Sequence, residues 1–248
     1  MTAGLTDFRS RLYEAYASQC AGHGGGEAAA LVYRRDIRPL LPPPAAGPAI
    51  DLGCGQGQLV RLLQADGFDA EGIDISPEQV ALAQAAGVTR VFQGDFRAIL
   101  AAHPAHYAAI TATDLLEHLT KPEVLQTFDD VAAALAPGGV FVGRVPNAVS
   151  PLGGHIRAGD FTHQTSFTDR SIRQLAAAAC FESVVTRSCP PVAHGLASAT
   201  RVILWRAVSS FYRIALAAET GMLRGHIVTQ NLTFAARKDV VTMKPAES

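Results

Sequence analysis

The sequence carries little net charge and lacks the features that mark a nucleic-acid-binding or membrane-spanning protein. Its 248 residues have a net charge of −1, and only 17% of them are charged. Non-specific binding of nucleic acid requires an excess of basic residues, so we expect no nucleic-acid partner. No apolar run is long enough to cross a bilayer. These absences favour a soluble protein that acts on a small molecule.

Cysteine is also scarce and shows no pattern. The four cysteines lack CxxC spacing, and no signal-peptide pattern is present at the N-terminus (Cys20, Cys54, Cys180 and Cys189). Such usage is typical of proteins in a reducing compartment. We therefore expect a cytoplasmic location.

A glycine-rich segment is the most informative part of the chain. In AIDLGCGQGQLV, residues 49–60, an apolar run with the character of a buried strand ends near Asp51, and a helical pattern begins at Gln58. Alternate glycines allow a tight turn and close approach of the backbone to a ligand. The dinucleotide pattern GxGxxG would need its third glycine at position 58, which is glutamine. The segment instead resembles motif I of class I S-adenosylmethionine-dependent methyltransferases.

Further acidic residues end the successive predicted strands, where ligands of parallel sheets bind. The resemblance implies that Asp74 binds the ribose, that Ile75 lies against the adenine and that Asp95 binds the adenine amine. Phe96 offers a stacking surface, and Asp114 is expected near the methionine end. The predicted cofactor-binding set is completed by the glycine segment (Asp51, Gly53, Cys54, Gly55 and Gly57), with Asp51 and Gly53 near the methionine.

The order of the predicted elements indicates an α/β fold. Strands and helices alternate from residue 48 to 145, as in a parallel sheet covered on both faces. Two late strands at 181–188 and 228–236 would complete the Rossmann-like, seven-stranded, mostly parallel sheet that the resemblance implies. Residues 1–42 are predicted to form an N-terminal helical cap with helices at 5–21 and 28–40. Residues 43–240 form the methyltransferase domain, and 241–248 a flexible tail.

Two segments are candidates for the acceptor site. The first is DLLEHLTK, residues 114–121, in which Glu117 is predicted to bind the acceptor and His118 to act as a general base. The second is the predicted loop 146–168, between a strand at 140–145 and a helix at 169–179. A loop this long is usually functional when it is ordered.

The second segment contains most of the candidate acceptor residues. Asp160 and His163 are predicted to form a catalytic dyad. A divalent-metal site that also uses Glu117 and His118 is the less favoured alternative, and no metal ligand is assigned. The predicted acceptor-binding side chains of this loop are Asn147, His155, Arg157 and Thr162.

The loop and the helix after it resemble methyltransferases of O-antigen, capsule and other glycan biosynthesis. The usual glycine before the phenylalanine at the end of that helix is replaced by Cys180. A strongly amphipathic helix is predicted at about 196–218. We expect it to pack on the core or in a homodimer, and contact with a membrane surface is the less favoured alternative.

Together these features predict an S-adenosylmethionine-dependent methyltransferase that yields S-adenosylhomocysteine and methylates an oxygen of a small, sugar-like or glycan acceptor. The aromatic N/DPPY signature of base amino-group methylation is absent, since RVPNAV occupies that region. A quinone, phenol or other natural-product acceptor is the alternative within the same class. A non-catalytic nucleoside-binding interaction module and a Rossmann dehydrogenase are the alternatives from other classes.

Overall fold

A computed structural model describes residue 12 and residues 26–240. The predicted helix at 5–21, Cys20 and the tail at 241–248 lie outside these residues, apart from residue 12. The predicted helix at 28–40 is present but changes its winding. It consists of an α-helix at Glu27–Val32, then a π-helical turn at Tyr33–Ile37 and a 3-10 turn at Arg38–Leu40.

Seven strands form one sheet in the order β3-β2-β1-β4-β5-β7-β6, in which β7 runs antiparallel to both of its neighbours and the other pairs are parallel. The fold class predicted from the sequence is therefore confirmed. The elements are α1 (Glu27–Val32), β1 (Ala49–Leu52), α2 (Gln58–Ala65), β2 (Ala70–Asp74), α3 (Pro77–Ala85), β3 (Val91–Gln93), α4 (Phe96–Ala102), β4 (Tyr107–Thr113), α5 (Lys121–Ala134), β5 (Leu135–Pro146), α6 (Gly154–Gly159), α7 (Asp169–Ala178), β6 (Ser183–Ser188), α8 (Leu196–Thr220) and β7 (Asn231–Arg237).

The central strands are buried on both faces because helices cover both sides of the sheet. Every residue of β1 is buried, and so is every residue of β4 except its last. This explains their nearly continuous apolar sequences. Gly143 of β5 makes room for the ring of Phe234, its register partner on β7. A Cβ at Gly143 would lie 2.3 Å from the Phe234 ring.

Two sequence predictions about this region are wrong. The strand predicted at 140–145 starts too late, because β5 begins at Leu135 and includes residues 136–139 as an irregularity. The segment 146–168 was expected to be a continuous loop, but it contains α6 and a bridge between Asn147 and Phe167. Tertiary pairing stabilises both departures from the local pattern.

The long helix α8 presents apolar side chains to solvent. Ser198 and Ser209 are buried on its inner side, whereas Leu204 and Phe211 are 62% and 67% exposed. Leu204 and Phe211 therefore do not pack on the core, which is one of the two roles predicted for this helix. Homodimer and membrane-surface contacts remain predictions. Among the described residues, no helix combines the length and apolar character required for a membrane span.

Candidate active site

The glycine loop between β1 and α2 has the backbone conformation that its sequence predicted. Gly53, Gly55 and Gly57 all have left-handed φ angles, of +64°, +52° and +70°. Residues with a Cβ rarely adopt such angles. The amides of Gly53 and Cys54 both donate to the carbonyl of Ile73, at 2.8 and 3.1 Å. The loop is thereby held against the carboxyl end of β2.

The same loop contacts the turn that follows β4. A Cβ on Gly53 would lie 2.9 Å from Cδ1 of Leu115, so the Leu115 side chain packs directly on the Gly53 backbone. Leu115 precedes a 3-10 turn at Leu116–His118. The predicted donor loop and the first predicted acceptor segment are therefore neighbours in space.

Asp74, at the end of β2, accepts hydrogen bonds from the glycine loop and from the turn that follows β2. Its Oδ2 accepts from the Gly55 amide and its Oδ1 from the Ser76 amide, each at 2.8 Å. Burial raises the pKa of its carboxyl above the usual value, and these backbone hydrogen bonds oppose that shift. Ile75, the next residue, is 60% exposed. A carboxylate beside an exposed apolar side chain fits a ribose next to an adenine ring.

Asp51 lies beneath the loop rather than on its surface. It is 1% exposed, and its Oδ1 accepts from the Thr111 hydroxyl at 2.7 Å. Burial raises the pKa of Asp51 to about 7, although the Thr111 hydrogen bond opposes this shift. Cys54 is also buried, and burial raises the pKa of its thiol. Its side chain fills the space above Gly72.

The prediction of Phe96 as a stacking surface is wrong. Phe96 is only 8% exposed and packs in the main core cluster, while the Arg97 guanidinium lies 4.8 Å from the centre of its ring. Asp95 is the N-cap of α4 and accepts from the Arg97 amide at 2.9 Å. Its side chain is 51% exposed, so an adenine amine could still reach it.

Asp114 forms a two-pronged ion pair with Arg144 of β5. Nε of Arg144 donates to Oδ1 of Asp114 at 3.0 Å, and Nη2 contacts the other carboxylate oxygen. The Asp114 charge raises the pKa of Arg144 above its usual value. Asp114 also has a left-handed φ of +56°. Its carboxylate is therefore positioned by Arg144, a residue that sequence reasoning missed.

Gln79 of α3 was also missed. Its Oε1 is buried and has no hydrogen-bond partner in residues 26–240, and a Cβ on Gly55 would lie 3.9 Å from it. A buried polar atom without a partner costs free energy unless a ligand or water satisfies it. The unsatisfied Oε1 of Gln79 lies beside the glycine loop, near Asp74 and Ile75. A nucleoside cofactor bound there would supply a hydrogen-bond partner for it. No local signal separates Gln79 from an ordinary helix residue.

Hydrogen bonds join the two predicted acceptor segments. The amides of Gln164 and Thr165 both donate to the carbonyl of Glu117, at 2.7 and 3.1 Å. Nε2 of Gln164 donates to the carbonyl of His118 at 3.0 Å, and the Thr165 hydroxyl donates to the carbonyl of Leu116 at 3.1 Å. These contacts hold the turn at 116–118 against residues 162–165.

Asp160 is linked to His118 through Thr162. The Thr162 hydroxyl lies 2.6 Å from Oδ1 of Asp160 and 2.6 Å from Nδ1 of His118. Since a carboxylate only accepts, the hydroxyl donates to Asp160 and accepts from Nδ1–H of His118. Burial and the neighbouring His163 lower the pKa of His118 to about 4. His118 is therefore neutral near pH 7.

The predicted Asp160–His163 dyad is not the arrangement found. Nδ1 of His163 lies 2.9 Å from the carbonyl oxygen of Ile156, so this nitrogen carries the proton and Nε2 carries the lone pair. The two imidazole rings meet edge to face, with centroids 4.7 Å apart. The carboxylate that was expected to orient His163 instead orients His118.

Glu117 is brought to the same place as the two histidines. It is 1% exposed, and within the described part of the chain its Oε2 has no hydrogen-bond partner. Burial and the nearby Asp114 charge raise its pKa well above the usual value. One ligand atom from each of Glu117, His118 and His163 lies within 4.8 Å of the others.

The remaining predicted acceptor residues have different environments. The prediction for Asn147 is wrong: it is 1% exposed, and its amide binds the carbonyls of Ile227 and Thr229, at 2.7 and 2.8 Å. Its carbonyl oxygen accepts from the Val149 amide, so the side chain anchors backbone. His155 is exposed on α6. Arg157 lines an open cleft of about 250 Å³ together with Gly154, Ala158, His163, Gln164, Thr165 and Ser166.

Comparison with known proteins places this arrangement in a family. The family described as "Methyltransferase domain" matches residues 26–186. A ubiquinone biosynthesis O-methyltransferase of Xylella fastidiosa is 35% identical over 95 residues, which are 36% of this chain and 38% of that protein. The putative methyltransferase YqeM of Bacillus subtilis is 33% identical over 104 residues, covering 40% and 42% of the two chains. The chain thus spans about two fifths of the length of these relatives.

Solved structures share the fold at low sequence identity. A S-adenosylmethionine-dependent methyltransferase of Archaeoglobus fulgidus matches with a TM-score of 0.65 and 17% identity, covering 92% of this chain and 99% of that one. A phosphoethanolamine N-methyltransferase of Haemonchus contortus, solved with S-adenosylmethionine, matches with a TM-score of 0.62 and 18% identity, covering 95% and 61%. These structures share the seven-stranded sheet, and the family match over residues 26–186 shows that the chain belongs to the methyltransferase domain family.

Proposed function

We propose that this protein transfers a methyl group from S-adenosylmethionine to an oxygen of a small hydroxylated acceptor. The observation that carries the proposal is the proximity of Glu117, His118 and His163 to one another. Two of them belong to the turn at 116–118, and Leu115, which precedes that turn, packs against Gly53. This polar cluster thus adjoins the donor loop. Its composition suits an acceptor whose proton must be removed.

The chemistry required of the chain is positioning and proton removal. S-adenosylmethionine supplies a methyl group that its sulfonium already activates, so the acceptor must be aligned for in-line displacement. Hydroxyl groups are weak acids and poor nucleophiles while protonated. The cluster assists the loss of that proton, and Asp160 and Thr162 hold His118 in one orientation.

A phenolic or quinone-related acceptor is the first candidate class. The relative from Xylella fastidiosa bears the name ubiquinone biosynthesis O-methyltransferase, and it aligns over 95 residues. The match covers 38% of that protein, so it supports the chemistry of the acceptor oxygen rather than a particular compound. The exposed apolar face of α8 is compatible with a lipophilic acceptor.

A sugar-like acceptor is the second candidate class, and the cleft beside His163 favours it. Arg157, Gln164, Thr165 and Ser166 line this cleft, and their donors and acceptors suit a ligand with many hydroxyl groups. This surface is continuous with His163, which also belongs to the cluster.

The two classes are distinguished by assaying the full chain with both kinds of acceptor. Release of S-adenosylhomocysteine is measured with catechols and prenylated phenols in one set and with free and nucleotide-linked sugars in the other. Mass spectrometry and NMR then locate the new methyl group. We expect an O-methyl product that is lost in His163→Ala and retained in His106→Ala. His106 precedes the amino end of β4, whereas Glu117 and His118 follow its carboxyl end.

Three results would contradict the proposal. Methylation confined to amine acceptors would assign the cluster to nitrogen chemistry. Binding of S-adenosylhomocysteine without transfer to any acceptor would support the non-catalytic interaction module. Transfer to a hydroxylated acceptor at the full rate in His163→Ala would remove the cluster from the reaction.

A further inference from the structure

We propose that Glu117, His118 and His163 form a divalent-cation site, with one carboxylate oxygen and two imidazole nitrogens as ligands. One such atom from each residue lies within 4.8 Å of the others, a spacing that one ion can bridge. The binding part of this proposal stands on the geometry alone. Its catalytic part rests on the proposed O-methyl transfer.

The first independent observation is the unsatisfied carboxylate of Glu117. The side chain is 1% exposed, and Oε2 has no hydrogen-bond partner among the residues that the structure describes. A buried carboxylate without partners is costly, and such groups are normally paired or bound to metal. A cation between Glu117 and the histidines would supply the missing partner.

The second observation is the anchoring of both imidazole rings through Nδ1. The carbonyl of Ile156 fixes the proton of His163 on Nδ1 and leaves the lone pair on Nε2. The hydroxyl of Thr162, itself bound to Asp160, accepts from Nδ1–H of His118. Metal-binding histidines characteristically donate their other ring nitrogen to an oxygen that orients them.

The surrounding charge also favours a cation. The carboxylates of Asp114 and Asp160 act electrostatically on Glu117, whereas Arg144 is the basic side chain that acts on it. Arg144 is already engaged by Asp114 in a two-pronged ion pair. Among the described residues that act on Glu117, carboxylates outnumber guanidinium groups, and this balance favours a positive ion at the cluster.

The ligands are held in place before any ion binds. Backbone carbonyls of Glu117 and His118 accept three hydrogen bonds from Gln164 and Thr165. These bonds bring together ligands that are about 45 residues apart in the chain. Preorganisation of this kind reduces the ordering that binding would otherwise require.

The donor set identifies the class of metal and its effect. Two imidazoles and one carboxylate suit Mn²⁺, Fe²⁺, Co²⁺ or Zn²⁺, and three protein ligands leave open positions for an acceptor oxygen. The ion acts as a Lewis acid with no change of oxidation state. The acceptor hydroxyl gives its proton to solvent, and its oxygen forms a bond to the methyl carbon. The carbon–sulfur bond breaks, and its electron pair remains on sulfur.

Co²⁺ is the appropriate probe because its visible absorption reports nitrogen ligation. The chelator-treated full chain is titrated with Co²⁺ while absorption and bound metal are measured, and no acceptor is present. We expect one ion per chain with visible bands. We expect this site to be lost in His163→Ala and in the nearly isosteric Glu117→Gln, and retained in His106→Ala.

The outer hydrogen bonds provide a graded test. Thr162→Val removes the oxygen that orients His118, and we expect Co²⁺ affinity to fall by about 10- to 100-fold. Binding of S-adenosylhomocysteine is measured in every variant as a check on folding. A variant that retains cofactor binding and loses Co²⁺ supports the site.

The failures of the two proposals are distinguishable. Absence of Co²⁺ binding in the unmodified chain, or unchanged binding in both His163→Ala and Glu117→Gln, would overturn the cation site. Methyl transfer that persists at full rate after chelation would overturn its catalytic part and leave the proposed function standing. Co²⁺ binding at the cluster without transfer to any hydroxylated acceptor would support the site and count against the O-methyl proposal.

Discussion

The Thr162 hydroxyl lies 2.6 Å from Nδ1 of His118 and joins it to the carboxylate of Asp160. Thr162→Val keeps the shape of the side chain and removes this link. We expect the rate of methyl transfer at saturating substrate to fall by roughly 10- to 100-fold, as when other orienting groups are removed. The KM for S-adenosylmethionine should be unchanged. Thr162→Ser should restore the rate, and a Val variant with full rate would remove Thr162 from the mechanism.

Removal of the Asp74 carboxylate should weaken cofactor binding. Asp74 accepts from the Gly55 and Ser76 amides and is proposed to bind the ribose. Asp74→Ala should reduce affinity for S-adenosylhomocysteine by about 1 to 3 kcal/mol, the scale of charge-assisted hydrogen bonds. Calorimetry measures this change. Asp69→Ala, an exposed change just before β2, is the matched control, and equal affinities in the two variants would contradict the assigned pocket.

Asp51 should make stability depend on pH in the cofactor-free protein. Burial raises its pKa from 3.8 to about 7, so the folded state holds a proton that the unfolded state releases. Its contribution to the free energy of unfolding is fully present below pH 3.8 and is lost as the pH rises to about 7. Denaturant titrations over this range should show a smaller decline in Asp51→Asn. The exposed change Asp129→Asn should leave the decline unaltered.

Cys180 occupies a position that favours glycine. Its φ of +59° is left-handed, and the Phe181 amide behind it donates to the carbonyl of Ala176 at 2.9 Å, which closes the end of α7. Cys180→Gly removes the cost of this angle, partly offset by greater freedom in the unfolded chain. We expect a gain of roughly 0.5 to 1 kcal/mol in the free energy of unfolding.

The control for Cys180→Gly is a glycine two residues earlier. Ala178 is exposed within α7, so Ala178→Gly should reduce stability by about 1 kcal/mol. If the free energy of unfolding rises in Cys180→Gly and falls in Ala178→Gly, the gain at position 180 is due to backbone conformation. If both variants were less stable than the unmodified protein, the contacts of the Cys180 side chain would contribute more stability than its left-handed φ angle costs.

Local chemistry made much of the fold predictable. The glycines at 53, 55 and 57 have the left-handed angles that their spacing suggested. Ser76 caps α3 by accepting from the Gln79 amide, and the seven-stranded sheet follows the alternation of strands and helices. These signals lie within a few residues of the structures they specify, so one sequence suffices to read them.

The candidate site was less predictable because its contacts join distant segments. Asp160 and His163 are three residues apart, and this proximity suggested a dyad. The pairing of 116–118 with 162–165 instead directs Asp160 through Thr162 to His118. Phe96 looked like a stacking surface beside Asp95, but its burial is decided by packing across the core. The spacing of residues along the sequence does not show which distant segments pair with each other.

The position of β7 constrains how the chain can mature during synthesis. This strand is the last of the described strands in sequence order, yet it lies between β5 and β6 and pairs with both. Until the ribosome has extruded residues 231–237, the facing edges of β5 and β6 have no native neighbour. The nascent chain must therefore keep two open strand edges from pairing with other chains. Strands β1 to β4 can therefore pair early during synthesis. The part of the sheet formed by β5, β7 and β6 is completed only after β7 has been synthesised.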